Sequence, residues 1–184
     1  MADFAIRKAL RVLSDGGLIA YPTEAVYGLG CRPDSAVAVM RLAALKQRDL
    51  REGFILIAAD RSQLDPYLAP LTARIERRLR SGWPGPVTWV VPASDTAPAW
   101  ITGGGGTIAV RVTAHPVAAS LCEAFGAAIV STSANRSGRP PARTALGVRR
   151  RFGKRIDAIV PGEVGGAARP SEIRDVLTND ILRP

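Results

Sequence analysis

Residues 127–138 read Ala127-Ala128-Ile129-Val130-Ser131-Thr132-Ser133-Ala134-Asn135-Arg136-Ser137-Gly138, so an apolar run leads directly into a polar one. The first four residues are typical of a buried strand that ends at Val130. Five hydroxyl or amide side chains follow before the breaker Gly138-Arg139-Pro140-Pro141. Because ligands of α/β proteins bind beyond strand ends, the segment is a candidate site for a polar ligand. The alternative is a turn whose Ser and Asn side chains bond to their own backbone, and such turns are common.

The composition is that of an α/β protein with anionic partners. At 184 residues the chain is predicted to form one domain, residues 1–184, with a substantial core. Its residues are 47% hydrophobic and only 5% aromatic. The formal charge of +9 and the pI of about 10.7 favour phosphorylated small molecules, RNA, or both as ligands.

The residue types exclude several kinds of site. The single histidine, His115, rules out a metal site built on paired histidines, and its place before Pro116 favours helix capping or a surface position. Cys31 and Cys122 lack metal-ligand spacing and are predicted to be free thiols. The sequence contains no P-loop, no complete Rossmann fingerprint and no Gly-x-Ser-x-Gly elbow.

The N-terminal sequence and the hydropathy pattern predict a cytoplasmic protein. The residues Met1-Ala2-Asp3-Phe4 lack the charged and apolar regions of a signal peptide. No apolar run approaches the length of a membrane-spanning helix.

Helical and strand patterns alternate along the chain. Helices are predicted at residues 3–15, 34–47, 116–125 and 144–152, and further helical stretches begin at Ser62 and at Pro70-Leu71-Thr72. Strands are predicted at residues 18–21, 54–58, 87–91, 107–112, 127–130, 157–160 and 172–177, and a turn at residues 23–30. Two of the strands, 87–91 and 107–112, follow each other without a helix. The pattern therefore predicts an α/β fold with a mixed, twisted sheet and helices packed on it.

Three basic residues each have two interpretations. Lys46 and Arg48 end a helical pattern, where either the helix dipole or the phosphates of a ligand would account for them. Arg111 interrupts an apolar strand pattern, and a partly buried arginine needs an anion. That anion is either a ligand carboxylate or a protein carboxylate, for which Glu24 and Glu172 are candidates.

Taken together, these segments resemble the YrdC/TsaC family of threonylcarbamoyl-adenylate synthases. The matching motifs occur in the family's order and span nearly the whole chain: Tyr21-Pro22-Thr23-Glu24, Tyr27-Gly28-Leu29-Gly30, Lys46-x-Arg48, Pro84-Gly85-Pro86-Val87-Thr88, Val110-Arg111, Ser131-Thr132-Ser133-Ala134-Asn135-x-Ser137-Gly138 and Pro170-Ser171. The length is similar to that of the short bacterial form. The resemblance implies a twisted, open sheet with packed helices and a concave, basic face.

The resemblance also implies a reaction and a set of partners. L-Threonine, bicarbonate (or CO2) and ATP would give L-threonylcarbamoyladenylate and pyrophosphate. Mg2+ would accompany ATP, with no tightly bound protein metal site. Proteins of the TsaB, TsaD and TsaE type would then transfer the threonylcarbamoyl group to the adenosine beside the anticodon of tRNA. The resemblance is also compatible with direct binding of tRNA or other double-stranded RNA.

The family's site residues can be carried over position by position. Those around ATP correspond to Lys46, Arg48, Thr107, Ser133 and Asn135, and all of these except Thr107 form the implied catalytic set. Those that hold threonine correspond to Thr23, Arg111, Ser131 and Ser171. The chemistry fits this division, because a guanidinium pairs with a carboxylate and hydroxyls bond to amine, carbamate or hydroxyl groups. Catalysis is expected mainly from positioning and charge neutralisation.

The chain departs from the family pattern after Arg48. Many relatives have proline next and then Asn or Lys before the following strand, where this chain has Asp49 and Glu52. Glu52 would place an acid close to a triphosphate, with Arg51 beside it as a compensating charge. The position of a threonine-site histidine in some relatives is Ile57 here.

Two alternative functions are compatible with the sequence. A non-catalytic protein that binds double-stranded RNA, tRNA or the ribosome would use the basic face, including the arginines of residues 74–80 and 149–155. A divergent relative would keep the fold and make another carbamoyl adenylate. The intact set Lys46, Arg48, Ser133 and Asn135 argues against a non-catalytic protein.

Overall fold

The computed structural model describes residues 2–183, which contain six α-helices. They are α1 (Ala2–Ser14), α2 (Ala36–Lys46), α3 (Ala73–Gly82), α4 (Ala99–Thr102), α5 (Pro116–Phe125) and α6 (Ala145–Phe152). Short 3-10 helices span Leu50–Glu52, Arg61–Tyr67 and Gly153–Arg155. Side chains of Ser35, Thr72 and Thr144 accept hydrogen bonds from backbone N–H groups and so fix the starts of α2, α3 and α6.

The described residues also form nine strands in one mixed sheet. They are β1 (Ile19–Pro22), β2 (Tyr27–Gly30), β3 (Ile55–Ala58), β4 (Val87–Pro92), β5 (Thr107–Val112), β6 (Ile129–Ser133), β7 (Ala158–Ile159), β8 (Glu172–Asp175) and β9 (Ile181–Arg183). Their order is β7-β1-β2-β6-β3-β5-β4-β8-β9. The pairs β1–β7, β3–β5 and β4–β8 are parallel and the others antiparallel. The predicted mixed α/β sheet is confirmed.

The two faces of the sheet are covered by different helices. Residues two apart along a strand share a face, so neighbouring core residues divide between two clusters. Helices α1 and α5 pack on one face, against residues such as Ile57 and Ile129. Helices α2, α3, α4 and α6 contribute to a larger cluster on the other face, which includes Leu56 and Val130. We refer to these as the α1/α5 face and the α2/α3 face.

Two predictions that concern the neighbouring strands β2 and β6 are wrong. Residues Tyr27–Gly30, predicted as part of a turn, form β2 between β1 and β6. The missing side chain at Gly30 allows close packing, because a Cβ there would lie 2.5 Å from the Val130 carbonyl oxygen. Strand β6 continues to Ser133, beyond the predicted end at Val130, since Thr132 and Ser133 pair with β2.

Other differences lie toward the C-terminus and in the loops. Neither α4 nor β9 was predicted, and the stretch after Ser62 is a 3-10 helix. The strand predicted at residues 172–177 ends at Asp175, whose Oδ1 accepts hydrogen bonds from the N–H groups of Leu177 and Thr178 and turns the chain into β9.

The single histidine and the two cysteines are buried. His115 makes no capping bond to α5, and its Nε2 lies 3.0 Å from the Glu163 carbonyl oxygen. The predicted capping or surface role is therefore wrong. Cys31 and Cys122 are free, as predicted, and burial raises the pKa of each thiol to about 12. Neither thiol is therefore a nucleophile at neutral pH.

None of the helices in residues 2–183 combines the length and the apolar character that crossing a membrane requires.

Candidate active site

A cavity of about 420 Å³ opens on the α1/α5 face of the sheet. Side chains that alternate along β5 and β6 reach it, because they share that face. Most of the predicted site residues line the cavity: Thr23, Arg48, Thr107, Arg111, Ser131, Ser133 and Ser171. The structure therefore brings together residues that are far apart in the sequence. Lys46 and Asn135 are not on the wall, but both contact Ser133.

Lys46, the last residue of α2, is 3% exposed, and its ammonium group bonds to the end of β6 and to the turn that follows it. Its Nζ donates to the carbonyl oxygen of Ser133 at 2.6 Å, and to the carbonyl oxygen and Oδ1 of Asn135 at 2.9 Å and 3.2 Å. An ammonium group has three N–H donors, so these contacts use all of them. Burial, with a smaller contribution from Arg48, lowers the pKa of Lys46 to about 8, although Glu52 acts in the opposite direction.

The side chain of Asn135 organises the turn after β6. Its Oδ1 accepts a hydrogen bond from Ser133 Oγ at 2.6 Å, and its Nδ2 donates to the Arg139 carbonyl oxygen at 2.5 Å. These bonds are partly those of the alternative considered from the sequence, a turn whose Ser and Asn side chains bond within the turn. Because Ser133 also lines the cavity, the same turn presents a hydroxyl to a ligand.

Arg48 is held on the cavity wall by several contacts. Its Nε donates to the Gly53 carbonyl oxygen at 3.2 Å, and its Nη1 lies 3.3 Å from Glu52 Oε2. The guanidinium carbon lies 5.4 Å from the centre of the Phe54 ring, a cation–π distance. Glu52 also lines the cavity, so the acid that departs from the family pattern does lie at the site.

Arg111 has the buried environment that the sequence predicted, and its protein partner is Glu24. The Nη1 atom lies 3.2 Å from Glu24 Oε2, and both side chains are largely buried. Glu24 Oε1 accepts hydrogen bonds from Thr113 Oγ1 and from the N–H of Ala114. Burial raises the pKa of Glu24, but the charge of Arg111 and these bonds outweigh it, so the pKa is lowered overall. Glu172, the other candidate partner, pairs with Arg174 instead.

The ion pair with Glu24 leaves one edge of the Arg111 guanidinium without a hydrogen-bond partner. Its Nε is buried and has no hydrogen-bond partner among residues 2–183. A buried N–H without a partner costs free energy, so this edge is suited to a ligand carboxylate.

Three hydroxyl groups surround the cavity near this arginine. Thr23 Oγ1 donates to the Val26 carbonyl oxygen at 2.7 Å and keeps its lone pairs as acceptors. Ser171 Oγ lies 2.9 Å from Thr88 Oγ1, a hydroxyl on β4. Ser131 is on β6, nearly buried, and paired with Ile55 of β3.

Arg183 on β9 is a cavity residue that the sequence reasoning missed. Its Nη2 donates to the Ser171 carbonyl oxygen at 2.9 Å, and it lines the cavity with Arg48 and Arg111. The side chain of Arg183 remains partly exposed, but its partial burial lowers its pKa, and those two arginines lower the pKa further. No sequence pattern marked this residue, because β9 is a three-residue strand with exposed side chains.

Comparison with known proteins identifies the family. The family model Sua5_yciO_yrdC, described as "Telomere recombination", matches residues 11–184. The chain belongs to the Sua5/YciO/YrdC family. The resemblance stated from the sequence motifs is thereby confirmed.

Relatives of this Sua5/YciO/YrdC protein cover nearly its whole length. A protein of Halorhodospira halophila named threonylcarbamoyl-AMP synthase is 59% identical over 98% of this chain and 94% of the relative. A protein of the same name from Nitrosococcus oceani is 56% identical over 98% of each chain. The structure of P. abyssi Sua5 complexed with L-threonine matches with a TM-score of 0.91 at 35% identity. That match covers 97% of this chain and 53% of the P. abyssi chain.

Proposed function

We propose that this protein is a threonylcarbamoyl-AMP synthase, which condenses L-threonine, bicarbonate (or CO2) and ATP to L-threonylcarbamoyladenylate and pyrophosphate. The observation that carries the proposal is a single cavity that combines cations suited to a triphosphate with a buried arginine among hydroxyls. The relatives named threonylcarbamoyl-AMP synthase, at 59% and 56% identity, support the same activity. They favour it over the non-catalytic RNA-binding alternative.

The proposed ATP-binding residues are Lys46, Arg48, Thr107, Ser133 and Asn135. Arg48 lines the cavity and offers a guanidinium to phosphate oxygens, and Ser133 offers a hydroxyl. Lys46 does not line the cavity. Its ammonium group holds the turn that carries Ser133 and Asn135 and adds a positive charge next to the cavity wall. Arg183 is a further cation on the same wall.

The proposed threonine-binding residues are Thr23, Arg111, Ser131 and Ser171. The free edge of Arg111 pairs with the substrate carboxylate, while Glu24 holds the guanidinium in place. The hydroxyls bond to the amine, the carbamate or the side-chain hydroxyl of threonine. The P. abyssi Sua5 structure contains L-threonine, which is consistent with this assignment.

The proposed chemistry needs positioning more than proton transfer. The neutral threonine amine adds to CO2 and releases a proton to water or bicarbonate, and an oxygen of the resulting carbamate attacks the α-phosphorus of ATP. The bond to the pyrophosphate oxygen then breaks, and pyrophosphate leaves with the electron pair. Glu52 is the one carboxylate among the described lining residues, and it is paired with Arg48. Arg48, Arg183 and the charge of Lys46 would stabilise the leaving pyrophosphate.

Mg2+ is proposed to arrive with ATP and to be held chiefly by phosphate oxygens. Within residues 2–183, no group of three or more His, Cys, Asp or Glu side chains is arranged to bind a metal ion. The ion would neutralise charge on the triphosphate, and the side chains on the cavity wall would orient it.

The proposed setting is the cytoplasm, with residues 1–184 acting as one YrdC-like domain. Proteins of the TsaB, TsaD and TsaE type would take up the adenylate and modify the adenosine next to the tRNA anticodon. This part of the proposal rests on the family resemblance and on the chemistry of the product. The product is a labile mixed anhydride of a carbamic acid and a phosphoric acid.

The test is pyrophosphate release from ATP and bicarbonate with L-threonine, with L-serine, or without an amino acid, and with the product mass measured. Threonine-dependent release and the mass of threonylcarbamoyladenylate are expected. Faster turnover with serine would indicate a different carbamoyl adenylate. No turnover by folded protein, together with salt-sensitive binding of RNA, would favour the non-catalytic alternative.

A further inference from the structure

The segment between β7 and β8, residues 161–171, contains no helix or strand, and its backbone bonds to the turn between β1 and β2. The N–H of Gly165 donates to the Thr23 carbonyl oxygen at 3.0 Å. The N–H of Ala167 donates to the Glu24 carbonyl oxygen at 2.9 Å. A Cβ at position 165 would lie 3.1 Å from Glu24 Cα, so glycine permits this close approach. We call residues 161–171 the strap.

The side chain of His115 makes a further contact with the strap. Its Nε2 lies 3.0 Å from the carbonyl oxygen of Glu163. A carbonyl oxygen only accepts hydrogen bonds, so Nε2 carries the proton and donates it. His115 is 5% exposed, and its Nδ1 is buried without a hydrogen-bond partner among residues 2–183. A buried nitrogen without a partner costs free energy, so the bond at Nε2 explains an imidazole here better than packing does.

The backbone of His115 belongs to the turn that holds Glu24. The His115 N–H donates to Thr113 Oγ1 at 3.2 Å, and that hydroxyl donates to Glu24 Oε1 at 2.7 Å. The N–H of Ala114 donates to the same carboxylate oxygen at 3.2 Å. Glu24 in turn pairs with Arg111, the proposed partner of the threonine carboxylate. The turn therefore fixes the carboxylate that orients Arg111.

These contacts form a closed ring. The turn at residues 113–115 binds the carboxylate of Glu24, and the strap binds its carbonyl oxygen. His115 closes the ring, because it belongs to the turn and its side chain bonds to the strap. Arg111 is attached to one side of the ring, and the strap leads to Ser171 on the other. Both of these residues line the cavity, whereas His115 is not among the described residues that line it.

We propose that His115 is a positioning residue for threonine binding, because its bond to the strap sets the distance between Arg111 and the Ser171 hydroxyl. The inference rests on the proposed synthase function and adds to it a residue that does not itself touch the substrate. Arg111 binds the threonine carboxylate and Ser171 another polar group of the same molecule, so a change in their separation weakens binding. The residues proposed to bind ATP lie outside the ring, so ATP affinity depends little on His115.

The experiment compares the variants H115N and H115Q, which carry the same amide group at different reach. The amide nitrogen of glutamine reaches about as far along the side chain as the imidazole Nε2, and it restores a donor to the strap. The asparagine amide is one methylene shorter and does not reach. Position 115 is the N-cap of α5, where asparagine is favoured, so H115N keeps the start of that helix.

Calorimetry measures the affinities for L-threonine and for ATP, and NMR measures hydrogen exchange at the amides of Gly165 and Ala167. We expect H115N to bind threonine about tenfold more weakly and to bind ATP within about twofold of wild type. Both amides should exchange about tenfold faster in H115N, because their bonds to the turn between β1 and β2 open with the strap. H115Q should stay within about threefold of wild type in every measurement.

Three results would overturn the proposal. Unchanged amide exchange in H115N would mean that His115 does not hold the strap. Faster exchange with unchanged threonine affinity, or equal losses for threonine and ATP, would mean that the strap does not position the threonine site. Equal losses of threonine affinity and of melting temperature in H115N and H115Q would leave His115 a packing role only. Amide exchange needs no turnover, whereas product formation by the wild type tests the synthase proposal, so the two failures are distinguishable.

Discussion

Arg111 has an ion pair with Glu24 and a proposed contact with threonine, and a single substitution cannot separate the two. Replacing it by alanine removes the proposed partner of the threonine carboxylate and also leaves Glu24 buried without its cation. Loss of one partner of a buried pair costs about 3–5 kcal/mol, so R111A alone would be ambiguous. The double variant R111A/E24Q removes both charges and keeps an acceptor for Thr113 and Ala114.

We expect R111A/E24Q to recover most of the stability that R111A loses but not the affinity for threonine. The KM for threonine should rise by about 100-fold, the effect of about 2–3 kcal/mol from a charge-assisted bond, while the KM for ATP changes by less than about threefold. Steady-state kinetics and thermal unfolding measure the two effects. Equal increases in both KM values would remove Arg111 from the threonine site.

Lys46 gives the active site an expected pH dependence. Burial lowers its pKa to about 8, and the charged form holds the turn at Ser133 and Asn135. We expect the KM for ATP to rise as the pH increases through about 8. K46M should have a raised KM at every pH and should lack this inflection.

Stability should respond to the same proton. The ammonium group of Lys46 keeps its proton up to about pH 10.5 in the unfolded chain but releases it near pH 8 in the folded protein. Between these pH values the unfolded state therefore binds more protons than the folded state. Relative to K46M, the wild-type free energy of unfolding should therefore increase between these pH values. Urea titrations at pH 7 and pH 10 would show this, and an identical pH response in K46M would assign the change to another group.

At the scale of elements, β2 depends on the small size of Gly30. A Cβ there would lie 2.5 Å from the Val130 carbonyl oxygen and 3.0 Å from the Tyr21 ring. We expect G30A to destabilise the protein by about 1–3 kcal/mol and to lower the melting temperature by about 2–4 °C per kcal/mol. The matched control is G106A, because a Cβ there meets no atom within 4 Å. Equal melting temperatures for the two variants would contradict this account of β2.

The elements that sequence patterns predicted are those with local signals. Helix α6 follows the capping residue Thr144, and α5 starts at Pro116, so both could be located closely. The end of β6 could not, because Ser131–Ser133 are polar residues that become strand only by pairing with β2 and β3. The three exposed residues of β9 carry no periodicity, and Arg183 was missed with them.

For the site as a whole, the sequence predicted which residues meet but not which of them face the cavity. Lys46 was expected to bind phosphate groups directly, and its three donors are instead used by the turn after β6. Arg111 had two interpretations, a ligand carboxylate or a protein one. The structure supplies Glu24 for one edge of its guanidinium and leaves the other edge free, so the two interpretations are compatible.

At the scale of the molecule, the net charge is +9, and the wall of the candidate active-site cavity carries Arg48, Arg111 and Arg183. Such a cleft focuses the field and attracts an anionic substrate before contact. Salt screens this attraction over about 10 Å at 0.1 M. We therefore expect kcat/KM for ATP to fall about fivefold between about 50 and 300 mM KCl. The value for threonine, a zwitterion, should change by less than about twofold.

Two variants that remove one acid each test whether the attraction of ATP depends on the net charge or on the local field of the cavity. E52Q and E123Q both raise the formal charge from +9 to +10, but Glu52 lines the cavity and pairs with Arg48, whereas Glu123 is an exposed residue of α5. E52Q should increase kcat/KM for ATP by about two- to fivefold at low salt, because it releases Arg48 and removes a repulsive charge. E123Q should stay at the wild-type value. Equal increases in the two variants would assign the steering to net charge, and a loss of activity in E52Q would mean that its carboxylate is needed to hold Arg48 in place.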